Sequence, residues 1–307
     1  MTMRIAIVTG ANKGIGNGIV ELLARSLRPI SEWHVYLTAR NEKRGLEAVK
    51  VLEEKGLCVK FHQLDITDVD SRHTLAKFVK GKYPEGLDIL VNNAGVAYKA
   101  DSKAPFGEQA RITVATNYGG TVKMCTEFLP LMAKDSRLVN VASTVDFLSL
   151  RAMSKEMAAK FKSQLSLREL DELMASFVKH VVMHAEAGDN KKVGFSNSPY
   201  GMSKVGVWKA TAILAEQFKS DPRHILINSV GLCGTAHFNA KLDSDGQASF
   251  SILQCSPGYV STDMTNHKGP KTILEGADTP VYLATLPKGA TEPYGQFVSE
   301  RQVIDVG

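Results

Sequence analysis

Short apolar runs rich in β-branched residues recur along the chain at 4–9, 33–39, 58–64, 87–91, 137–141, 225–228 and 296–299. The segments between them carry apolar positions at helical spacing: after the first run, Ile19, Leu22, Leu23 and Leu27 fall on one side of a helix. Strands that read as continuous apolar runs are covered on both faces, and strands that alternate with helices join through right-handed crossovers into a parallel sheet. The pattern predicts an α/β fold of Rossmann-like type, with a doubly wound parallel sheet of seven strands and helices on both faces, in one domain spanning 1–307.

Two stretches depart from simple alternation. Over about 150–188, Met157, Phe161, Leu165, Leu170, Leu173, Phe177 and Val181 predict one or two amphipathic helices packed on the outside of the domain. Residues 230–254 are rich in Gly, Ser, Asp and Asn and follow the sixth apolar run directly, which predicts a loop at the carboxyl end of a central strand.

Composition narrows the class without choosing a chemistry. A charge of +5 over 307 residues is too dilute for a nucleic-acid protein, although it suits a small polyanionic ligand. No apolar stretch is long enough to span a membrane, and the first residues carry no basic leader, so the reading is a cytoplasmic protein. Cys58, Cys125, Cys233 and Cys255 are scattered without a C-x2-C pair, as expected of reduced thiols and not of a zinc ribbon or disulfide framework. His180 and His184 stand four apart but have neither a Glu between them nor a third ligand nearby, so no metal is expected.

The first strand ends in Thr9-Gly10-Ala11-Asn12-Lys13-Gly14-Ile15-Gly16, and a helix opens at once. Glycines there let backbone N–H groups and the positive end of a helix approach phosphate oxygens, although such a turn also serves as a plain strand-to-helix connection. At the end of the second strand, where an NAD site places an acid for the ribose 2′-hydroxyl, the chain has Arg40. With Arg44 and Lys13 it suits a 2′-phosphate, which favours NADP, unless Arg44 and Lys13 merely lie on solvated faces. Asp65 and Ile66 follow the third strand where an adenine would rest. Asn93, Ala94 and Gly95 follow the fourth, small enough for a flat cofactor to approach or for an ordinary turn.

Tyr200 and Lys204 stand four apart, on one face of a helix, where an ammonium lowers the pKa of a phenol and makes it an acid-base candidate. Ser143 ends the fifth strand, at the sheet edge where open α/β sheets bind ligands. Asn117 lies in the preceding helical segment, where its amide is suited to hold a water or support Lys204.

TGANKGIG, the Asp65-Ile66 pair, NNAG, the Asn117 segment, Ser143, YGMSK and PGYVSTDM occur in one order over nearly the whole chain, and together they resemble the short-chain dehydrogenase/reductase family. Among its branches the chain is most similar to the animal NADPH-dependent carbonyl reductases, through NNAGVAYK, the long segment before Tyr200 and the tail TPVYLATLP with GQFVSE. The resemblance implies NADP(H) as cofactor and reduction of a small-molecule carbonyl substrate: ketone, aldehyde or quinone. Ser143 and Tyr200 would bind the carbonyl oxygen, Tyr200 would give the proton, Lys204 would hold the nicotinamide ribose, and Asn117 would continue a proton relay. Pro257, Gly258, Val260 and Thr262 would close over the nicotinamide amide, with Tyr259 and Met264 lining the substrate cleft. Related oxidoreductases of hydroxysteroids or prostaglandins use the same residues, so that reading stays open. The family also implies that the 57-residue separation of Ser143 from Tyr200 covers the face other members use for tetramers, leaving a monomer.

The resemblance calls for Asn-x3-Pro-Gly after the sixth strand, yet 28 residues separate Asn228 from Pro257. Removing the 25 residues 230–254 restores the spacing. Valine codons begin with GT and a glutamine codon can be CAG, so the segment has the form of an in-frame retained intron; a natural surface loop is the alternative. Genomic DNA without GT and AG at those edges would refute the intron. Two runs, 225–229 and 251–255, compete for the sixth strand, and an insert beside the nicotinamide also opens the reading of a catalytically impaired isoform that only binds cofactor or a partner.

Overall fold

In a computed structural model, which describes residues 3–99, 101–184, 193–231, 241–242, 248–249 and 260–305, the apolar runs form the strands β1 (Arg4–Val8), β2 (Trp33–Ala39), β3 (Lys60–Gln63), β4 (Leu87–Asn92), β5 (Met132–Val141) and β6 (Leu226–Val230). A separate antiparallel pair, β7 (Lys241–Leu242) and β8 (Ala248–Ser249), lies within 230–254. The sheet is completed by β9 (Phe297–Ser299) and β10 (Gln302–Val303), giving eight strands in the order β10-β9-β6-β5-β4-β1-β2-β3. Seven are parallel. The eighth, absent from the sequence reading, turns back antiparallel on β9 through Glu300 and Arg301, both at positive φ.

The strands β1, β2, β4 and β6 bury both faces, as the unbroken apolar runs require, whereas the edge strands β3 and β10 do not. In β1, Ala6 and Val8 pack with Ile19 and Leu23 of α1 (Gly14–Ser26), Leu52 of α2 (Glu42–Glu54) and Ala277 of α10 (Ile273–Ala284). Ile5 and Ile7 face the other way, toward Leu75 and Val79 of α3 (Val69–Lys82), Phe128 of α5 (Thr121–Phe128) and Leu214 of α9 (Pro199–Phe218). From β1 the chain winds outward through β2 and β3, then returns to β4 and winds the other way through β5, β6 and β9. The carboxyl ends of β1 and β4 therefore flank the reversal point, where such sheets open a crevice.

The stretch at 150–188 holds α7 (Lys155–Lys162) and α8 (Leu167–His184), after a short α6 (Val145–Arg151). Phe161, Leu170, Phe177 and Val181 are fully buried in a third apolar cluster with Ala110 of α4 (Phe106–Thr113) and Met202 and Val205 of α9. The periodicity read from sequence marks that contact.

The sixth strand is the first of the two competing runs. Its last residue, Val230, is fully buried and pairs with Val141 on one side and Val298 on the other, so this residue at the edge of 230–254 belongs to the sheet. The competing run 251–255 lies outside the described residues. Among those described, no helix is long and apolar enough to cross a membrane.

Candidate active site

The glycine turn is shaped by two contacts. Gly10 is left-handed at φ +61, and a Cβ there would stand 2.7 Å from the Ala94 Cα, so the loop after β1 and the loop after β4 meet where only hydrogens fit. A Cβ on Gly16 would run into Asn93 Nδ2 and come within 2.8 Å of the Gly10 carbonyl oxygen. Asn93 is itself the clamp: its amide donates to the carbonyls of Thr9 (3.0 Å) and Gly10 (3.2 Å), while Thr9 Oγ1 accepts from the N–H groups of Asn93 and Ala94, both at 3.0 Å. Gly14, at φ +58, faces the Thr262 methyl group. The first turn of α1 carries no acidic residue. A cradle that side chains would fill, at the positive end of a helix, fits a dinucleotide pyrophosphate bound by Asn12, Gly14, Ile15 and Gly16.

The cations around it differ. Lys13 Nζ pairs with Asp263 at 2.7 Å and, with it, holds that carboxyl below the usual carboxylate range, tying the glycine loop to the turn of Thr262 and Asp263. Arg40 is exposed at the end of β2, and Arg44 is exposed in the first turn of α2, which Asn41 caps. Among the described residues neither guanidinium has an acidic partner. Both remain available to a 2′-phosphate, whereas Lys13 is already paired. Asp65 commits one carboxylate oxygen to Thr67, at 2.9 Å to its N–H and 2.7 Å to its hydroxyl, and Ile66 is buried against Gly120.

The catalytic candidates gather at the end of β5. Ser198 caps α9 by accepting from Gly201 N–H at 3.0 Å, and Pro199 opens the helix, so Tyr200 lies in its first turn and Lys204 one turn on. Lys204 is 4% exposed, its Nζ donates to the Val141 carbonyl at 2.6 Å, and it lies 5.7 Å from the centre of the Tyr200 ring. Burial pulls its ammonium down to about 8, against the opposing pull of the Asp146 carboxylate. Ser143, two residues beyond Val141, is buried, and its Oγ accepts from Val145 N–H at 3.3 Å. Tyr200 is half-buried.

Asn117 sits in a π-helical stretch, Val114–Gly120, and is 1% exposed, not on the solvent side of a helix. Its amide oxygen accepts from Val96 N–H at 2.7 Å; its nitrogen donates to the Val96 carbonyl at 2.9 Å and to Ser203 Oγ at 3.0 Å. The side chain thus fastens the loop after β4 to α9. Gly95 keeps the space open, since a Cβ there would stand 3.2 Å from Asn117 Oδ1 and 3.8 Å from Lys204 Nζ. Of the residues read as closing the site, Val260 and Thr262 are buried and Met264 is 47% exposed; Pro257, Gly258 and Tyr259 lie outside the described residues.

Sequence reasoning missed three participants. Thr9 and Ser203 look like ordinary polar residues, and only their hydrogen bonds distinguish them. Asp146 left a signal: an acid three residues past Ser143 inside the apolar Val145-Asp146-Phe147-Leu148. Its carboxyl is fully buried, and burial pushes it up to about 7 although the N–H groups of Phe147 and Ser143 and the Lys204 charge pull the other way.

Comparison with known proteins agrees with this geometry. The family described as short chain dehydrogenase matches residues 4–185. Carbonyl reductase [NADPH] 1 of Sus scrofa is 41% identical over 99% of this chain and 94% of its own, and that of Homo sapiens is 41% identical over 98% of each. Among solved structures, the menthone neomenthol reductase from Mentha piperita superposes with a TM-score of 0.72 at 28% identity, over 98% of this chain and all of that one.

Proposed function

The chain belongs to the short-chain dehydrogenase family, and from that premise we propose that it is an NADPH-dependent carbonyl reductase converting ketones, aldehydes or quinones to alcohols. The observation that carries this reading is the Lys204 ammonium, buried at the carboxyl end of β5 and 5.7 Å from the ring of Tyr200. NADPH, when bound, supplies the hydride. Ser143 and Tyr200 hydrogen-bond the carbonyl oxygen, and the Tyr200 hydroxyl gives its proton as negative charge develops there. Lys204 holds the ribose and makes the phenolate left on Tyr200 less costly. Asn117 keeps the Val96 loop and Ser203 in register, which orients the first turn of α9, and would pass protons onward through water. Gly10, Asn12, Gly14, Ile15 and Gly16 hold the pyrophosphate. Asp65, Ile66, Asn93, Ala94 and Gly95 would bracket the adenosine and ribose, and Arg40 and Arg44 would take the 2′-phosphate. Val260 and Thr262 would close over the nicotinamide and Met264 would face the substrate; Pro257, Gly258 and Tyr259, outside the described residues, are given the matching roles by the family resemblance alone.

We further read the protein as a cytoplasmic monomer. Burial of α8 against α4 and α9 supports the oligomeric state, and the unpaired thiols of Cys58 and Cys125 support a reducing compartment. The test is NADPH oxidation with a simple quinone, by the intact chain, by Tyr200→Phe and by a chain lacking 230–254. Turnover by the intact chain that drops about 100-fold or more in Tyr200→Phe, with NADPH binding retained, is the expected result. Turnover only after excision makes the intact chain a silent isoform, and none in either form overturns the reading.

A further inference from the structure

Asp146 has no part in the scheme above, yet it is an expensive residue to keep. A carboxyl with no exposed surface costs several kcal/mol to ionise unless charge or hydrogen bonds compensate it. One oxygen accepts from Phe147 N–H at 3.1 Å; the other, Oδ2, has no hydrogen-bond partner. A serine or asparagine would also serve the N–H groups of Phe147 and Ser143 without a charge. What calls for the charge lies across the β5 end, where the Lys204 ammonium, equally withdrawn from water, reaches the Val141 carbonyl and feels the Asp146 carboxylate.

Among the described residues the surroundings supply little else. From α9 the groups to weigh are Lys204, Tyr200 one turn earlier, and Lys209, whose Nζ is held by the Ser163 carbonyl at 2.6 Å. The β5 end adds Ser143 and Thr144, which carry no charge, and Arg151 of α6 is exposed at the far end of that helix. The two helices are held close, since a Cβ on Gly201 of α9 would collide with the Ser149 hydroxyl of α6. Asp146 is therefore the charge that opposes the burial of Lys204, while Asp146 itself is helped first by the N–H groups of Phe147 and Ser143 and then by Lys204.

We propose that Asp146 is a positioning residue for carbonyl reduction: its carboxylate keeps Lys204 in the ammonium form at neutral pH and so sets the pH above which Tyr200 loses its support. The proposal rests on the reductase reading for its consequence in turnover, but not for the Lys204–Asp146 coupling itself. The sign follows from the charges. Lys204 already loses its proton near 8, and without the neighbouring anion it loses it at lower pH. The alkaline limb of turnover, which needs the ammonium, then moves to lower pH by about 1 unit, the low end of the effect of an opposite charge nearby.

The test compares the intact chain with Asp146→Asn, which keeps the shape, and Asp146→Ser, which stands in if the first does not fold. Lysine side chains labelled with carbon-13 are titrated by NMR with and without NADP+, Lys204 being assigned by its absence in Lys204→Arg. The pH profile of quinone reduction is measured alongside. A Lys204 midpoint lowered by about 1 unit in the folded variants, with the alkaline limb following, is expected. Folded variants that lose rate equally at all pH values while the Lys204 midpoint stays in place would overturn the proposal and leave Asp146 a structural residue. Absence of quinone turnover in every form would sink the reductase reading alone, because the NMR midpoint still decides the coupling.

Discussion

Gly16→Ala sets helix propensity against packing. Alanine is the better helix former by about 1 kcal/mol, so on propensity alone the variant gains stability. The added Cβ, however, lands on Asn93 Nδ2 and comes within 2.8 Å of the Gly10 oxygen and 2.9 Å of the Ala11 Cα. Two of these neighbours are backbone and cannot rotate away. Asn93 must withdraw, losing its bonds to the Thr9 and Gly10 carbonyls at about 1 kcal/mol each, and the residual overlap adds about 1 kcal/mol or more. The balance is a net destabilisation of about 2 kcal/mol, read as a lower urea midpoint at unchanged slope. NADPH affinity, measured calorimetrically, falls by about tenfold or more, because the shifted loop is the one that meets the pyrophosphate. Asn93→Ala removes the same two bonds, so the double variant costs about 1–2 kcal/mol less than the two single costs together. A Gly16→Ala protein more stable than its parent, with NADPH affinity intact, would refute both the clash and the clamp.

Arg40→Ala combined with Arg44→Ala is expected to weaken NADPH binding by about 3 kcal/mol while leaving NADH nearly unchanged, since two charge-assisted contacts to a 2′-phosphate are lost; equal losses for both cofactors in calorimetry would show that the arginines do not read that phosphate. Phe177→Ala empties a fully buried site beside the Phe195 ring and should cost about 3–5 kcal/mol in urea unfolding, against less than about 1 kcal/mol for Val182→Ala on the exposed side of α8. Of the two thiols described, Cys58 should react with a disulfide reagent in the native state, whereas Cys125 should not until unfolding, because burial pushes its thiol up to about 12; mass mapping of the labelled peptides decides it.

Elements whose character is written in their own residues were legible. The run 33–39 is β2 to the residue, and the glycine spacing after β1 marks a turn where Gly10 and Gly16 leave no room for a Cβ. What escaped the sequence depends on partners elsewhere. β5 begins at Met132, five residues before its apolar run, because Met132 pairs with Leu87 across a register shift. β10 is two exposed residues joined to β9 by Glu300 and Arg301 at φ 50 and 60, a left-handed turn that residues other than glycine or asparagine seldom announce. Asn117 was legible as a candidate for the site but not as a clamp, since nothing local shows that the chain widens to a π turn there. Asp146 leaves only the local hint of an acid in an apolar run; its burial and its pairing with Lys204 come from the fold.

The wide turn at Val114–Gly120 has a consequence for how this enzyme can be pruned. Neighbouring residues on a helix point to different sides, so while Asn117 secures Val96 and Ser203, Tyr118 turns toward α8 and its hydroxyl donates to Asp171 at 2.7 Å. Tyr118 is 4% exposed, and cutting away α8 to reach the shorter plan of a simpler relative would strand a buried phenol one residue from the Asn117 clamp. The added helices are therefore not a graft that evolution or an engineer can trim at will. They are tied into the core one residue away from the Asn117 clamp.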